Sequence, residues 1–381
     1  MMKIVADENI PYAAECFGSV GQVQLLSGRS MTAEAVREAD AVLVRSITKV
    51  GAELLKGSRV KFIGTVTIGF EHIDTDFLKE HDIGFASAPG SNANSTAEYV
   101  VAALLSVGRK KKIELAGKSI GIVGVGNVGG RVARKAAALG MRVLLNDPPL
   151  QRQTQDAKYL SLEKLFDCDF ITLHTPLTFE GVDRTFHLAD EKFFKSLKTG
   201  CVFINSSRGA VADTNALKDA IESGGLKASV VDVWENEPDI DMELLRMVDI
   251  STPHIAGYSF DGKAAGMIMI YEAFCRHFGL EANKSIEDFL PEPVLPEIHI
   301  DPESDTEQNL LHEIVQQVYA IDKDDFNMRE IAMVPEAERA SFFDDLRRNY
   351  PVRREFGNTL IVLDRPHDSL AGKLGGIGFK V

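Results

Sequence analysis

The stretch Gly124-Val125-Gly126-Asn127-Val128-Gly129 follows the apolar run Ser119-Ile120-Gly121-Ile122-Val123 and precedes a helix-forming run from Arg131 to Leu139. In a strand-to-helix turn, the first glycine permits the tight bend, the second lets the backbone approach a pyrophosphate, and the third lets helix and strand pack closely. The N–H groups at such a helix start face an anion, and the macrodipole favours negative charge there. Alone, this spacing also serves ordinary strand-to-helix packing; the flanks decide the reading. A second apolar strand, Met141-Arg142-Val143-Leu144-Leu145, ends in Asn146-Asp147, close to the ~20 residues after the glycines at which a carboxylate accepts from ribose hydroxyls. Asp147 would repel a 2′-phosphate, and Pro148-Pro149-Leu150 supplies no cation to offset it. The predicted cofactor is therefore NAD rather than NADP, cradled by Gly124, Gly126, Asn127, Val128 and Gly129.

The chain of 381 residues is long enough for two or three domains, and its 45% apolar and 26% charged content is that of an ordinary globular protein. A net charge of −14 argues against a nucleic-acid surface. The basic run Arg109-Lys110-Lys111-Lys112 follows a predicted helix over 97–107, where cations complement the helix C-terminus. Cys16, Cys168, Cys201 and Cys275 lack any short pairing pattern, which predicts reduced thiols and a cytoplasmic protein without a zinc site. His72, His81, His187 and His312 show no metal-ligand spacing, so no metal is expected. The start, Met1-Met2-Lys3-Ile4-Val5-Ala6-Asp7-Glu8, is charged and strand-like, and no apolar span reaches the ~20 residues of a membrane helix; neither a signal peptide nor a membrane partner is expected.

Short apolar strands at 3–6, 41–44 and 61–65 alternate with helical stretches at 32–38 and 51–56, the pattern of a parallel sheet. Ser95-Thr96-Ala97-Glu98 has the spacing of a capping box opening the helix before the glycine turn. From 116 to 254 strands are expected at 120–123, 143–146, 170–174, 202–205, 228–233 and 249–251, a doubly wound unit with ligands at the strand carboxyl ends. An apolar helix over 262–279 can return to the first lobe. Past Pro291-Glu292-Pro293-Val294-Leu295-Pro296 the composition shifts. Helical spacing at Leu310, Leu311, Ile314, Val315, Val318 and Tyr319, a helix over 336–348 and a strand over 358–363 then describe a small α+β tail. Oligomerisation, regulation and a packed appendage all stay open for it.

Four strand ends carry polar side chains: His174-Thr175-Pro176-Leu177, Asn205-Ser206-Ser207-Arg208-Gly209, Asp232-Val233-Trp234-Glu235-Asn236-Glu237-Pro238 and Thr252-Pro253-His254-Ile255-Ala256-Gly257. An Arg, a Glu and a His gathered beside a nicotinamide suit oxidation of a 2-hydroxy acid. Arg208 can hold a carboxylate by a bidentate pair. His254 can take the hydroxyl proton, because imidazole titrates near neutral pH. Glu237 can orient that base. Each alone has a plainer reading, as a turn residue, a loop acid or a core histidine; their succession after consecutive strands favours catalysis.

This order of motifs resembles the D-isomer-specific 2-hydroxyacid dehydrogenases over about 61–279. A narrower likeness rests on Ala6-Asp7-Glu8-Asn9-Ile10-Pro11, Val44-Arg45-Ser46-Ile47-Thr48-Lys49-Val50, Gly64-Thr65-Val66-Thr67-Ile68-Gly69-Phe70-Glu71-His72-Ile73-Asp74, Ala88-Pro89-Gly90-Ser91-Asn92-Ala93-Asn94 and His254-Ile255-Ala256-Gly257-Tyr258-Ser259. It is to members that oxidise 4-phospho-D-erythronate to 2-oxo-3-hydroxy-4-phosphobutanoate with NAD, on the way to pyridoxal 5′-phosphate. The resemblance implies an α/β fold of two doubly wound parallel-sheet lobes, a Rossmann cofactor domain (95–257) inserted in a flavodoxin-like substrate domain (1–94 and 258–286). A small C-terminal α+β domain (287–381) is expected to join a homodimer. Arg208, Glu237 and His254 are the implied catalytic residues. Implied NAD contacts are Asp147, Thr175, Ser206, Ser207, Asp232 and Gly257, and implied substrate contacts are Ser46, Thr67 and Tyr258. Arg45 is a candidate for the substrate phosphate, with a structural ion pair as its alternative. Tyr258 stands where the wider family often has a small or hydroxylated residue, and the tail does not follow the β-α-β-β-α-β order of an ACT-type domain. A 3-phosphoglycerate dehydrogenase, another hydroxy acid enzyme, or an NAD-sensing binding module are the competing readings.

Overall fold

A computed structural model describes residues 1–381 apart from residue 68. One unit, Met1–Asn92 with Ser259–Glu292, is built on strands β1 (Met2–Asp7), β2 (Gly21–Leu26), β3 (Ala41–Val44), β4 (Phe62–Thr65) and β5 (Gly84–Ala86). All pair in parallel in the order β2-β1-β3-β4-β5, the doubly wound arrangement of flavodoxin-like sheets. Central parallel strands are buried on both faces and read as continuous apolar runs, as β3 does. The edge strands β2, with Gln22 and Gln24, and the three-residue β5 have no such run and escaped the sequence reading. The apolar helix expected over 262–279 forms Phe260–Phe278, N-capped by the Ser259 hydroxyl accepting from Gly262 N and C-capped by Gly279. Its Met267, Ile270, Tyr271 and Phe274 share a core with Ile4, Ala6, Leu43 and Phe62. A Cβ at residue 64 would stand 2.4 Å from Ile270 Cγ2, so glycine is needed where this helix crosses β4.

The second unit, Ala93–Tyr258 with Pro293–Val381, contains β6 (Ser119–Val123), β7 (Arg142–Asn146), β8 (Phe170–Leu173), β9 (Cys201–Asn205), β10 (Leu226–Val231) and β11 (Ile250–Ser251). They form one parallel sheet in the order β11-β10-β9-β8-β6-β7. Beyond β7 a single parallel bridge joins Leu145 to Tyr159, the vestige of a further strand. Counting it, the order is that of the Rossmann fold, and the reversal falls between β6 and β8, where such sheets bind ligands.

The helix that precedes β6 runs Ala93–Lys111 and is buried along most of its length. Ser95 and Glu98 therefore lie inside it and do not cap it. Their side chains bond instead to the tail: Ser95 Oγ donates to Glu355 Oε1 at 2.8 Å, and Glu98 Oε1 accepts from Phe356 N at 3.0 Å. A partner far along the chain replaces the local cap that the spacing suggested. The basic run at its end is also paired, Lys110 with Asp322 at 2.9 Å and Lys111 with Asp249 at 2.6 Å.

The tail adds β12 (Glu297–Ile300) and β13 (Leu360–Leu363), a parallel pair, and helices Glu307–Val318, Ile321–Arg329, Glu336–Arg348 and Asp368–Ile377. The second and fourth of these helices were not legible, because one is mostly charged and the other carries three glycines. Leu310, Leu311, Ile314, Leu370 and Leu374 pack in one core with Val100, Leu104, Ile120 and Val132. Each such side chain is worth ~1.5–3 kcal/mol when buried, so the tail is an integral layer of this unit. The unit edges fall after Asn92, Tyr258 and Glu292, against expected boundaries at 94, 257 and 286. All four cysteines are free and buried. Among the described residues, no three His, Cys, Asp or Glu side chains are grouped to hold a metal ion, and no helix is long and apolar enough to cross a membrane.

Candidate active site

Each glycine of the β6 turn has its own reason. Gly124 has φ +86°, and a Cβ there would stand 2.7 Å from the His174 carbonyl; one at Gly129 would stand 1.9 Å from the Gly124 carbonyl. A Cβ at Gly126 would meet nothing within 4 Å, so this glycine keeps space open rather than relieving a clash. The helix Asn127–Ala138 starts here with Gly126 as N-cap and no side-chain cap, which leaves its first N–H groups available to an anion. Asp147 Oδ2 accepts from Val125 N at 2.8 Å, and Oδ1 accepts from Leu150 N at 2.9 Å, capping the helix Pro148–Thr154. The acid thus clamps the glycine turn, and each oxygen keeps a lone pair for a ribose hydroxyl. At the ends of β8 and β9, Thr175 Oγ1 and Ser206 Oγ are buried without a hydrogen-bond partner. A buried hydroxyl left unpaired is costly, so both fit a ligand that pairs them. Ser207 differs: its hydroxyl donates to Asn205 Oδ1 at 2.8 Å. Burial pushes the His174 imidazole down to about 3, which keeps it neutral.

The catalytic candidates sit on three neighbouring strand ends. After β9, Arg208 precedes Gly209, where a Cβ would stand 2.0 Å from the Trp234 carbonyl. This contact presses the Arg208 turn against the segment that follows β10. There, Glu237 Oε1 accepts from Trp234 N at 2.7 Å, and Oε2 lies 2.7 Å from His254 Nδ1. Burial would raise the Glu237 pKa, but the attraction and hydrogen bond of His254 prevail and hold it below the usual range. His254 has φ +56°, a strained backbone for a residue with a side chain, held by its N–H on the Asp232 carbonyl at 2.7 Å. Asp232 is buried, and its carboxylate accepts from Thr252 Oγ1 at 2.7 Å, Ile255 N at 2.8 Å and Ala256 N at 3.0 Å. It therefore shapes the His254 loop that ends at Gly257. The Arg208 fork spends one bond on the Ser207 carbonyl, at 2.8 Å.

Ser46 and Arg45 follow β3 and Thr67 follows β4 in the other unit, with Ser46 exposed. The Thr67 hydroxyl donates to the Gly69 carbonyl at 2.8 Å and lies 2.6 Å from Thr65 Oγ1, itself 3.0 Å from His72 Nε2. Its proton is committed, and its remaining capacity is as an acceptor. Ile68, within the quoted motif, lies outside the described residues. Tyr258 presents its ring edge-on to Tyr350 of the tail, centroids 5.9 Å apart.

A family model for the D-isomer specific 2-hydroxyacid dehydrogenase NAD binding domain matches residues 93–256, and a second, a domain of unknown function (DUF3410), matches 289–378. The chain is 44% identical to an erythronate-4-phosphate dehydrogenase of Proteus mirabilis over 99% of both chains. It is 43% identical to that of Chromohalobacter salexigens over 100% of this chain and 99% of the relative. A solved D-lactate dehydrogenase from Aquifex aeolicus, complexed with NAD and lactic acid, superposes with TM-score 0.59 at 27% identity, covering 73% of this chain and 96% of that one. The chain belongs to the erythronate-4-phosphate dehydrogenases. As a member of that family and of the wider D-2-hydroxyacid dehydrogenases it is an NAD-dependent oxidoreductase.

Other residues that assemble the site lay outside the sequence expectations. Trp234, the single tryptophan, is the hub. Its carbonyl faces Gly209, its N–H binds Glu237, and its indole donates to the Thr252 carbonyl at 2.9 Å. Thr252 in turn meets the buried Tyr99 hydroxyl at 2.8 Å. Arg353 of the tail, buried and stacked 4.0 Å over Tyr319, donates to the Ala256 carbonyl at 3.1 Å. The lone tryptophan inside a motif was an available signal; nothing local pointed to Arg353.

Proposed function

We propose that this chain oxidises 4-phospho-D-erythronate to 2-oxo-3-hydroxy-4-phosphobutanoate with NAD, a step towards pyridoxal 5′-phosphate. The observation that carries the reading is the 2.7 Å Glu237–His254 pair, set beside the Arg208 turn on the sheet edge that also holds the glycine cradle. When bound in that cradle, NAD supplies the acceptor for the hydride leaving C2. Arg208 holds the substrate carboxylate with the free part of its planar fork. His254 Nε2 takes the hydroxyl proton as the C2–O bond becomes a carbonyl, and Glu237 stabilises the resulting imidazolium. Glu237 is already fixed by Trp234 N, so no reorganisation is needed when charge appears. Ser46, Thr67 and Tyr258 offer oxygens to the remaining substrate groups, and Thr175, Ser206 and Asp232 serve the cofactor.

In this reading 1–94 with 258–286 binds substrate, 95–257 binds NAD, and 287–381 joins two copies in the cytoplasm. Sedimentation across a concentration series tests the dimer. The activity is tested by supplying NAD with 4-phosphoerythronate, 3-phosphoglycerate and D-lactate, identifying the product and comparing kcat/KM. A protein that binds NAD yet makes no 2-oxo acid from 4-phosphoerythronate sinks the reading.

A further inference from the structure

The substrate proposed above carries two anionic groups, and Arg208 accounts for one. A second cation approaches the same catalytic pair from the tail. Arg347 lies in the last turn of the helix Glu336–Arg348, its guanidinium 5.9 Å from the Phe343 ring centroid. Its side chain is 27% exposed, and its nearest carboxylate, Asp344, is 3.6 Å away, too far for a hydrogen bond. Nε is buried with no hydrogen-bond partner. Burial works against the charge, but the Tyr258 hydroxyl, which pairs with the guanidinium, and the negative charge of the nearby Glu237 outweigh it and raise the pKa above its ordinary value. Glu237 already spends Oε1 on Trp234 N and Oε2 on His254 Nδ1. Arg347 therefore stands near the reacting pair as a largely buried cation whose Nε–H is unspent.

We propose that Arg347, together with the Tyr258 hydroxyl, forms the subsite for the phosphate of the substrate. This rests on the phosphorylated hydroxy acid reading above. A guanidinium presents several donors in a plane that matches phosphate oxygens, and a phenolic hydroxyl can add one more. Lactate carries no phosphate, and the D-lactate dehydrogenase of Aquifex aeolicus is matched by only 73% of this chain. The tail that supplies Arg347 answers to a family model separate from that of the NAD domain. The tail then does more than pack: it contributes the residue that distinguishes a phosphorylated acid from a plain one.

The test compares kcat/KM for 4-phosphoerythronate and unphosphorylated erythronate in wild type, Arg347→Gln, Arg347→Lys and Arg45→Gln, with NAD affinity measured for each. Arg347→Gln is expected to lower the preference for the phosphorylated acid about 10- to 100-fold, mainly through KM, as loss of a charged hydrogen bond does. Arg347→Lys should recover part of that preference. An equal loss on both acids, or erasure of the preference by Arg45→Gln with Arg347→Gln unaffected, overturns the proposal. If Arg347→Gln loses NAD affinity as well, it has not folded, and Arg347→Lys decides: an intermediate preference supports the subsite and a wild-type preference overturns it. Should wild type oxidise neither acid, the functional reading is what fails. Calorimetric titration with inorganic phosphate then decides the subsite, weakened binding in Arg347→Gln supporting it and unchanged binding overturning it.

Discussion

Gly209 lies so close to Trp234 that a Cβ on it would stand 2.0 Å from the Trp234 carbonyl oxygen. The clash is with backbone, which cannot rotate away. Gly209→Ala should therefore cost at least the ~1–3 kcal/mol of an overpacked site and move Arg208 off its position. Thermal unfolding should show the loss, and kcat/KM should fall more than NAD affinity does. Unchanged stability would mean that the backbone between residues 209 and 234 yields to a methyl group.

Two of the cradle glycines should fail in different ways. Gly126→Ala meets nothing within 4 Å, so its melting temperature should match wild type while NAD affinity drops, the methyl group occupying the room a pyrophosphate needs. Gly129→Ala would place a Cβ 1.9 Å from Gly124 O and should unfold the domain or leave it insoluble. Calorimetry and NAD titration on both variants separate the two effects.

Removing the base should reveal its share of the rate. His254→Ala is expected to lower kcat by ~10²–10⁴ with NAD binding nearly intact. Arg208→Lys should also lose activity, because one ammonium cannot reproduce the planar fork. Steady-state kinetics with fluorescence titration of the cofactor checks both; a His254→Ala enzyme of wild-type rate would remove the imidazole from the mechanism.

Asp169 offers a test in pH. Its carboxylate accepts from Ser119 N and Oγ, each at 2.9 Å, and from Lys198 Nζ at 2.6 Å. Burial pushes its pKa up, but Lys198 and Ser119 outweigh this and hold it at about 2, below the ordinary 3.8. A depressed carboxylate pKa stabilises the folded state above the unfolded value, and the contribution is lost as pH falls through the folded one. Because the group is partly exposed, screening reduces this to on the order of 1 kcal/mol. Asp169→Asn should cost about that much near neutral pH, and the gap in urea unfolding should close between about pH 4 and pH 2. A gap constant across that window would place the stabilisation elsewhere than in the charge.

Much of the candidate site was legible as a set of strand ends, and the parts that were not share a cause. Arg208, Glu237 and His254 each follow a buried strand, and buried parallel strands announce themselves as apolar runs. The glycine turn is recognisable because its spacing meets a local steric need. The misread cap at Ser95 and Glu98 shows the limit: the pattern was present, but Glu355 and Phe356 offered the same groups a partner from the far end of the chain. The polar helix Ile321–Arg329 was missed likewise, since Asp325 is spent on Ser251 N at 2.8 Å rather than on solvent.

What the amino-acid order determined alone was local: where strands end, where the chain can bend tightly enough to admit an anion, and which chemical groups follow each bend. What only the tertiary structure decided was which distant groups share one space. Arg353 bracing the Ala256 carbonyl, Trp234 tying three strand ends together, and Arg347 set near Glu237 depend on the packing of segments remote in sequence. Periodicity and spacing report on neighbours along the chain; partners brought together by burial leave no mark in either.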